Sequence, residues 1–243
     1  MKLTKITKFL DELLGNEKTE DPYTKNGLQV QGKEDVKKIG FAVDACIESF
    51  NELKVCDMIV VHHGLFWPSI DKVTGNNCER LRFLLDNQIS LYSSHIHLDV
   101  HSQIGNNAIM MDIIGAKKKY FKGFVCFGEY EKVKDINQIK KKIDERINPA
   151  SVMLPFGKKE IKKVSVCSGG GYSLIGTAVD EGADLYITGE GSHTIYHYAK
   201  ESRINIILAG HYKTETLGIR KLMEVAGKKL NIETVFTDIP TGF

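Results

Sequence analysis

The sequence predicts an α/β fold made of two related halves, residues 1–120 and 121–243, whose sheets are mainly parallel. Two observations lead to this prediction. Short apolar stretches of strand length alternate with segments whose apolar residues recur at helical spacing, which is typical of strands joined by helical crossovers. In addition, the order of these segments in the first half is repeated in the second. We therefore expect the halves to be structural repeats of one another.

The first half is predicted to begin with a helix over residues 3–14, because Leu3, Ile6 and Leu10 share one helical face and Gly15 follows them. Further helices are predicted over 47–53, 78–87 and 106–114. Strands are predicted over 37–45, 57–61 and 89–93, with a short apolar segment at 27–30 and a polar loop at 94–101.

The boundary between the halves is predicted at Lys117-Lys118-Lys119-Tyr120. We interpret this run as a solvated linker or helix end, with an anion-binding patch as the alternative. Beyond it, the predicted helices cover 133–146, 175–180, 195–201 and 217–225, and the predicted strands cover 162–167, 183–188, 204–208 and 232–236.

The composition is that of a soluble globular protein, with 243 residues, 42% hydrophobic and 26% charged. A net charge of +2 is too small to indicate nucleic-acid binding by itself. No apolar run approaches the roughly 20 residues that a membrane span needs, and no signal segment is visible, so we expect a cytoplasmic protein. The five cysteines include no C-x-x-C pair and are expected to be reduced structural thiols.

Two consecutive histidines follow the most apolar strand of the first half. Residues 58–61 read Met-Ile-Val-Val, which indicates a strand buried on both faces, and His62, His63 and Gly64 follow. Neighbouring side chains of a strand point to opposite faces, so both imidazoles can serve one site only if the strand ends and the chain turns at the glycine. Ligands of open α/β sheets bind beyond the carboxyl ends of the strands, which makes this stretch a candidate metal site.

The repeat places a histidine and a carboxylate at the same offset in both halves. In each half a lysine-led strand is followed by a helix, a strand opened by aspartate, another helix and a third strand. Directly beyond that third strand lie His95-x-x-x-Asp99 in the first half and His211-x-x-x-Glu215 in the second. A coincidence of this kind is less plausible than a shared functional role.

Five of these residues are the predicted metal ligands. The set offers imidazole nitrogens and carboxylate oxygens without thiolate, which suits Zn, Fe, Mn, Co or Ni. A carboxylate can bridge two cations, and five ligands cannot saturate two, so we expect two divalent metal ions with water at the open positions of a catalytic site. The ligands are His62, His63, Asp99, His211 and Glu215.

The remaining histidines are candidates for supporting roles. His95 and His97 either orient a ligand carboxylate or act catalytically, by carrying protons to and from a bound substrate. His101 and His193 either line the same site or lie on the surface, and His197 is expected to be structural.

Two further stretches have alternative interpretations. Phe66 and Trp67 either stack on a planar ring or pack in the core, and core packing is the slightly favoured reading. The triple glycine at 169–171 follows a strand and precedes a helix, so its N–H groups could hold an anion. It is not a G-x-G-x-x-G or P-loop sequence, and a tight turn is the default interpretation.

In combination, these motifs resemble those of the Nif-three-like family of hexameric proteins with a dinuclear metal centre, some of which carry the name GTP cyclohydrolase I type 2 homologue. The motifs that carry the resemblance are Asn26-Gly27-Leu28-Gln29-Val30, His62-His63-Gly64, Ser94-His95 with Leu98-Asp99, Thr188-Gly189-Glu190, and Gly210-His211 with Thr214-Glu215. Many members have an acidic residue two or three places before the first motif, where this chain has Tyr23-Thr24-Lys25. Longer members also carry a mid-chain domain for which this chain has no room.

The resemblance implies two α/β halves that face each other across a metal-binding cleft, and a ring-shaped homohexamer built as a trimer of dimers. It also implies which ion each residue binds: His62 and His211 hold one metal, His63 and Asp99 hold the other, and Glu215 bridges them.

The function predicted from the resemblance and the ligand set is that of a metal-dependent hydrolase. Its substrate would be a nucleotide- or pterin-like small molecule, and water activated by the metals would be the nucleophile. The alternative is a non-catalytic metal-binding scaffold, or an adaptor that binds a protein or nucleic-acid partner in the ring. Lysine-rich faces at 117–119 and 140–142 would favour nucleic acid if they lined the opening.

Overall fold

The computed structural model describes residues 1–15, 21–67, 69–70 and 72–243. The chain forms two compact units, each with its own sheet. The first unit consists of Met1–Leu98 and Gly218–Ile239, and the second of Asp99–Leu217 and Pro240–Phe243. Strands and helices alternate along the chain, so the predicted α/β class is confirmed.

The described residues contain the following elements. The helices are α1 Leu3–Leu14, α2 Ile47–Glu52, α3 Gly75–Asp86, α4 Ile96–Asp99, α5 Asn106–Ile114, α6 Ile136–Arg146, α7 Ile175–Asp180, α8 Thr194–Glu201 and α9 His211–Leu230, with a 3-10 helix at Gly171–Leu174. The strands are β1 Gly27–Val30, β2 Lys38–Asp44, β3 Met58–His63, β4 Ser90–Ser93, β5 Lys117–Lys122, β6 Val125–Asp135, β7 Val152–Pro155, β8 Glu160–Cys167, β9 Leu185–Thr188, β10 Asn205–Leu208 and β11 Glu233–Phe236.

The first unit contains a five-stranded sheet in the order β1-β4-β3-β2-β11. Strands β2, β3, β4 and β11 are parallel, and β1 pairs antiparallel with β4. Strands β2 and β3 are buried along almost their whole length, which explains why they read as continuous apolar runs. On one face of the sheet, Phe50 of α2 and Leu84 of α3 pack with Ile59 of β3.

The second unit contains a six-stranded sheet in the order β5-β6-β8-β9-β10-β7. The inner strands β8, β9 and β10 are parallel, and β5, β6 and β7 pair antiparallel. Neighbouring residues along a strand enter opposite cores: Ile207 packs with Met111 and Ile139 on one side, whereas Ile206 packs with Tyr186 on the other. Both faces of this sheet are therefore covered.

The units divide at Leu98 and Asp99, whereas the sequence placed the boundary near residue 120. The reason is the packing of α5, because Met111 and Ile114 of this helix are buried with Ile139 and Val166 in the second unit. Asp99 therefore belongs to the second unit. The two other divisions follow Leu217, within α9, and Ile239.

The internal repeat is visible in the order and pairing of the strands. In the first unit, β2-α2-β3-α3-β4 forms three parallel strands with β1 antiparallel beside β4. In the second unit, β8-α7-β9-α8-β10 forms three parallel strands with β7 antiparallel beside β10. Each unit thus contains the same arrangement of four strands.

An aspartate before the second strand of each repeat accepts two backbone hydrogen bonds from the first strand or the residue before it. Oδ2 of Asp57 accepts hydrogen bonds from the backbone N–H groups of Lys37 at 2.8 Å and Lys38 at 3.4 Å. Oδ2 of Asp184 accepts from the backbone N–H groups of residues 162 and 163, both at 2.8 Å. The repeat therefore extends to individual hydrogen bonds.

Replacing Asp57 by asparagine is expected to lower the free energy of unfolding by about 2 kcal/mol at pH 7, because two backbone donors lose an ionised acceptor. Burial by itself would raise the pKa of the Asp57 carboxyl, but the N–H of Lys37 and the ammonium of Lys33 hold that pKa below its ordinary value. The stabilisation is therefore present above about pH 4 and is lost as the pH falls through the folded-state pKa. Urea unfolding at a series of pH values measures the loss of stability and its pH dependence, with the exposed Asp86→Asn as the control. An equal loss at pH 3 and pH 7 would contradict this expectation.

The predicted linker at Lys117–Tyr120 is wrong, because these residues belong to β5, an edge strand of the second sheet. Tyr120 stacks on Phe127 of β6 with ring centroids 5.0 Å apart. The charge run hid the strand because its side chains are exposed or half-buried, as edge strands often are.

The last helix begins at His211, six residues earlier than the apolar periodicity indicated. Its first turn is polar, and the sequence predicts a loop there. Conversely, residues 94–101, predicted to be a loop, contain the single helical turn α4. Within the described part of the chain, none of the helices has the length and hydropathy needed to cross a membrane.

Candidate metal centre

His62 and His63 are the last two residues of β3, so the strand continues through both histidines instead of ending before them. His62 is fully buried and His63 is half-buried. Their ring centroids lie 4.7 Å apart. The chain leaves the strand at Gly64, where a Cβ atom would lie 2.4 Å from the side-chain amide of Gln29. The two imidazoles thus lie side by side at the carboxyl end of β3.

Both rings are held through Nδ1. His62 Nδ1 lies 2.9 Å from the carbonyl oxygen of Ser94, and His63 Nδ1 lies 2.8 Å from Oδ1 of Asp44. A carbonyl oxygen can only accept a hydrogen bond, so Nδ1 of His62 must carry the proton. The same tautomer satisfies the Asp44 carboxylate. The lone pair is then on Nε2, which is the form of an imidazole that binds a metal.

His95 lies beside these two histidines. Its ring centroid is 5.1 Å from that of His62 and 5.6 Å from that of His63. Its Nδ1 lies 2.9 Å from Oδ2 of Asp21. Burial alone would raise the pKa of the Asp21 carboxyl, but hydrogen bonds from His95 and from the backbone N–H of Tyr23 hold that pKa well below its usual range. Asp21 is therefore an ionised acceptor behind the His95 ring.

The Asn26 to Val30 motif positions both histidine-bearing segments. The side-chain oxygen of Asn26 accepts from the backbone N–H of His95 at 2.7 Å. The side-chain oxygen of Gln29 accepts from the backbone N–H of Leu65 at 2.7 Å, directly after the turn at residue 64. Neither Asp21 nor these amide contacts were identified from the sequence. The one available signal was the family's acidic residue two or three places before the motif, whereas Asp21 lies five places before Asn26.

In the second unit, His211 and Glu215 lie one helical turn apart at the start of α9. Nε2 of His211 is 3.1 Å from Oε2 of Glu215, and its Nδ1 is 3.2 Å from Oε2 of Glu190. The Glu215 side chain is 4% exposed. Glu190 belongs to the Thr188-Gly189-Glu190 motif beyond β9, so this motif supplies the acceptor that holds the His211 ring.

Asp99 is buried in the second unit and is held by two donors. Its Oδ1 accepts from the hydroxyl of Ser168 at 2.6 Å and from the side-chain amide of Asn106 at 2.8 Å. These contacts fix the orientation of the carboxylate. Neither donor was identified from the sequence.

The triple glycine provides space for Glu215. A Cβ atom on Gly169 would lie 2.0 Å from Oε1 of Glu215 and 3.1 Å from Nε2 of His211, and the backbone of Gly169 has φ +60°. The N–H of Gly169 donates to the hydroxyl of Thr214 at 3.0 Å. This turn therefore holds the start of α9, and the contacts agree with the default interpretation of a tight turn.

The chemistry of the cysteines agrees with a donor set without thiolate. None of the five cysteines forms a disulfide. Burial, together with the charges of Asp99 and Glu215, raises the pKa of the Cys167 thiol to about 12. Burial also raises the pKa of Cys56 to about 11 and that of Cys126 to about 12. These thiols stay protonated and are poor metal ligands.

The other histidines differ in their surroundings. His97 is buried on α4 and is not part of the His62, His63 and His95 group within the described residues. His101 accepts through Nδ1 from the backbone N–H groups of residues 103 and 104, both at 3.2 Å, and so stabilises a turn. His193 and His197 are both exposed at α8, so the expectation that His197 has a structural role lacks support from burial.

Trp67 is exposed and does not pack in the core, contrary to the favoured interpretation. It is 42% exposed, and its indole N–H donates to the carbonyl oxygen of Gly64 at 2.8 Å. It makes edge-to-face contacts with His95 and His63, with ring centroids at 4.9 and 5.5 Å respectively. Tyr23, 54% exposed, lies on His95 at 6.2 Å. Two exposed aromatic rings thus flank the histidine group.

Comparison with known proteins gives consistent matches over the full length. A model of the family described as Duf34/NIF3 (NGG1p interacting factor 3) matches residues 1–242. A protein of Archaeoglobus fulgidus named GTP cyclohydrolase 1 type 2 homolog is 44% identical over 250 residues, with 99% of each chain covered. A Pyrococcus abyssi protein of the same name is 40% identical over 253 residues, with 100% of each covered. A solved structure from Thermus thermophilus is 31% identical, covers 100% of both chains and has a TM-score of 0.93.

Proposed function

The chain belongs to the Duf34/NIF3 family, and from this membership and its ligand groups we propose that it is a metal-dependent hydrolase with two divalent ions. The substrate would be a nucleotide- or pterin-like small molecule. The observation that carries the proposal is that each proposed ligand imidazole is oriented by an oxygen at its Nδ1, as metal-binding histidines are.

The proposed ligands are those expected from the sequence: His62, His63, Asp99, His211 and Glu215. Nitrogen and oxygen donors with protonated cysteines suit Zn, Fe, Mn, Co or Ni. Two such ions would activate water and stabilise the charge that develops during hydrolysis. Following the family resemblance, we propose that Glu215 contacts both ions.

The chain's own residues would hold these ligands in place before a substrate arrives. Asp44 and Glu190 fix the rings of His63 and His211, and Ser168 fixes the carboxylate of Asp99. Preorganised groups of this kind reduce the cost of reaching the transition state. For proton transfer we retain the two candidates of the sequence analysis, His95 and His97.

The exposed indole of Trp67 supports a substrate with a planar ring. The indole is anchored by its N–H yet is 42% exposed next to His95 and His63. A purine or pterin ring can stack on such a face. The relatives named GTP cyclohydrolase 1 type 2 homolog make GTP the first nucleotide to test.

We also propose the homohexamer that the family resemblance implies, a trimer of dimers, which light scattering of the purified protein would test. The nucleic-acid alternative is weakened by the pairing of three of the six lysines in the two runs. Lys119 pairs with Glu129, Lys140 with Asp144, and Lys141 with Glu145. Paired lysines offer less positive charge to a phosphate backbone.

The test of catalysis uses the full chain, stripped of metal and reloaded with one candidate metal at a time. We expect saturable turnover of GTP or of a pterin, measured by chromatography of the product. EDTA should abolish this turnover and added metal should restore it. If the protein binds two ions and turns over none of these compounds, catalysis on this substrate class is ruled out and the scaffold function takes its place.

Removing the proposed stacking surface should affect substrate binding more than chemistry. Trp67→Ala is expected to raise KM by about 5- to 10-fold with little change in kcat, because a stacking contact contributes about 1 kcal/mol. Tyr198→Ala is the matched control, since Tyr198 is 43% exposed on α8. Equal KM values for wild type and Trp67→Ala would exclude stacking on this indole.

A further inference from the structure

Three imidazoles of the first unit present the same ligand atom. His62 and His63 are held through Nδ1 by an oxygen, as described above, and His95 is held in the same way by Asp21 over 2.9 Å. An acceptor at Nδ1 leaves the lone pair on Nε2. One ligand atom from each of the three histidines lies within 4.8 Å of the others. The three rings therefore form a set of nitrogen donors without any residue of the second unit.

The carboxylate behind His95 is buried and fully engaged. The side chain of Asp21 is 1% exposed. In addition to His95, it accepts from the backbone N–H of Tyr23 at 2.9 Å, the side-chain amide of Asn26 at 3.2 Å and the backbone N–H of Ile96 at 3.3 Å. A buried carboxylate with this many donors is ionised and held in one orientation. It fixes both the position and the tautomer of the His95 ring.

The internal repeat gives independent support. His95 follows β4, the third parallel strand of the first repeat, and His211 follows β10, the third parallel strand of the second. Each binds a carboxylate through Nδ1: Asp21 in one case and Glu190 in the other. His95 is thus the counterpart of a residue that we propose as a metal ligand.

We infer that His62, His63 and His95 bind one divalent transition-metal ion independently of His211 and Glu215, with Asp21 as the residue that positions His95. Three imidazoles with an open fourth position form a known ligand set for catalytic zinc. The inference rests on the proposed function for His62 and His63 as ligands, but it places both on one ion, whereas the family resemblance assigns them to different ions. An imidazole that binds a metal through its lone pair cannot take up a proton, so His97 is the remaining proton carrier in this one-ion form.

The test uses Co²⁺ as the probe and the full chain carrying His211→Ala together with Glu215→Gln. After removal of metal and titration with Co²⁺, we expect this double variant to retain about one ion per subunit, with the visible absorption of a nitrogen-coordinated site. Adding His95→Ala should abolish that binding. Adding Asp21→Asn, which keeps the side-chain shape, should weaken the affinity about 10- to 100-fold, as loss of an orienting partner does.

Two substitutions in the same background serve as controls. His197→Ala removes an exposed histidine of α8, and Asp86→Asn neutralises an exposed carboxylate of α3. Neither should change the Co²⁺ affinity. Far-UV circular dichroism checks that each variant is folded. If His95→Ala fails to fold, the Asp21→Asn titration decides the question alone.

The outcomes separate this inference from the proposed dinuclear centre. A wild type with two ions and a folded double variant with none would overturn the three-histidine site and leave the dinuclear centre standing. A wild type with one ion that is unchanged by Glu215→Gln and lost with His95→Ala would support the three-histidine site and overturn the dinuclear centre. An unchanged affinity after both His95→Ala and Asp21→Asn would also overturn the inference.

Discussion

Replacing Glu215 by glutamine is expected to lower the metal content of the purified chain from about two ions per subunit to about one or fewer. Glutamine keeps the size of this buried side chain but removes its charge and one of its two oxygen donors. A glutamine cannot bridge two cations as a carboxylate does. Loss of an orienting partner alone lowers metal affinity or activity by about 10- to 100-fold, so loss of a ligand should lower turnover by more than about 100-fold.

Elemental analysis of wild type and variant, purified side by side, measures the change in metal content. Glu224→Gln is the matched control, because Glu224 lies on the same helix and pairs at the surface with Lys221. That control should keep the wild-type metal content. Two tightly bound ions in Glu215→Gln would show that Glu215 is not a ligand and would remove the main support for the dinuclear proposal.

The second large effect is expected at Gly169, where alanine should both destabilise the second unit and disturb the proposed ligands. The new Cβ atom would lie 2.0 Å from Oε1 of Glu215, and the backbone has φ +60°. The left-handed conformation and the steric conflict together should lower the free energy of unfolding by about 3 kcal/mol. The displaced carboxylate should also lose its metal, so the Co²⁺ content is expected to fall as predicted for Glu215→Gln.

Gly182→Ala separates the two causes. Gly182 has nearly the same backbone angle, φ +67°, but its nearest neighbour would be Nζ of Lys163 at 3.9 Å. This control should lose about 1–2 kcal/mol from the backbone alone and keep its metal. Chemical unfolding of the metal-free proteins and metal analysis measure the difference. Equal losses in the two variants would show that the approach of residue 169 to Glu215 has no energetic consequence.

Most helices and strands could be predicted from the sequence because the patterns that indicate them are local. Helix α1 agrees with the prediction at both ends, since its apolar spacing and the glycine after it are short-range features. The hairpin of β5 and β6 was not predicted because it lacks such local signals. Strand β5, Lys117–Lys122, is rich in charge and mostly exposed, and the exposed second half of β6 has no apolar alternation. Edge strands are stabilised by pairing, which leaves little trace in a single segment.

The candidate ligands could be read from the sequence, whereas the groups that orient them could not. The repeat pointed to His95, Asp99, His211 and Glu215 by equal spacing. Asp21, however, is 74 residues from His95 along the chain, and such a pairing has no sequence signature. Ser168 and Gly169 were likewise visible only as a glycine-rich turn. Long-range contacts of this kind depend on the tertiary fold.

The charge of β5 has a consequence for the behaviour of the protein at high concentration. An edge strand exposes unpaired backbone groups that can add a strand from another molecule, which is a common route to aggregation. Lysines spaced along β5 oppose such an approach, because burying an ammonium against another strand is costly. The residues that concealed the strand from sequence analysis thus act as gatekeepers that keep the second sheet from growing beyond its own chain.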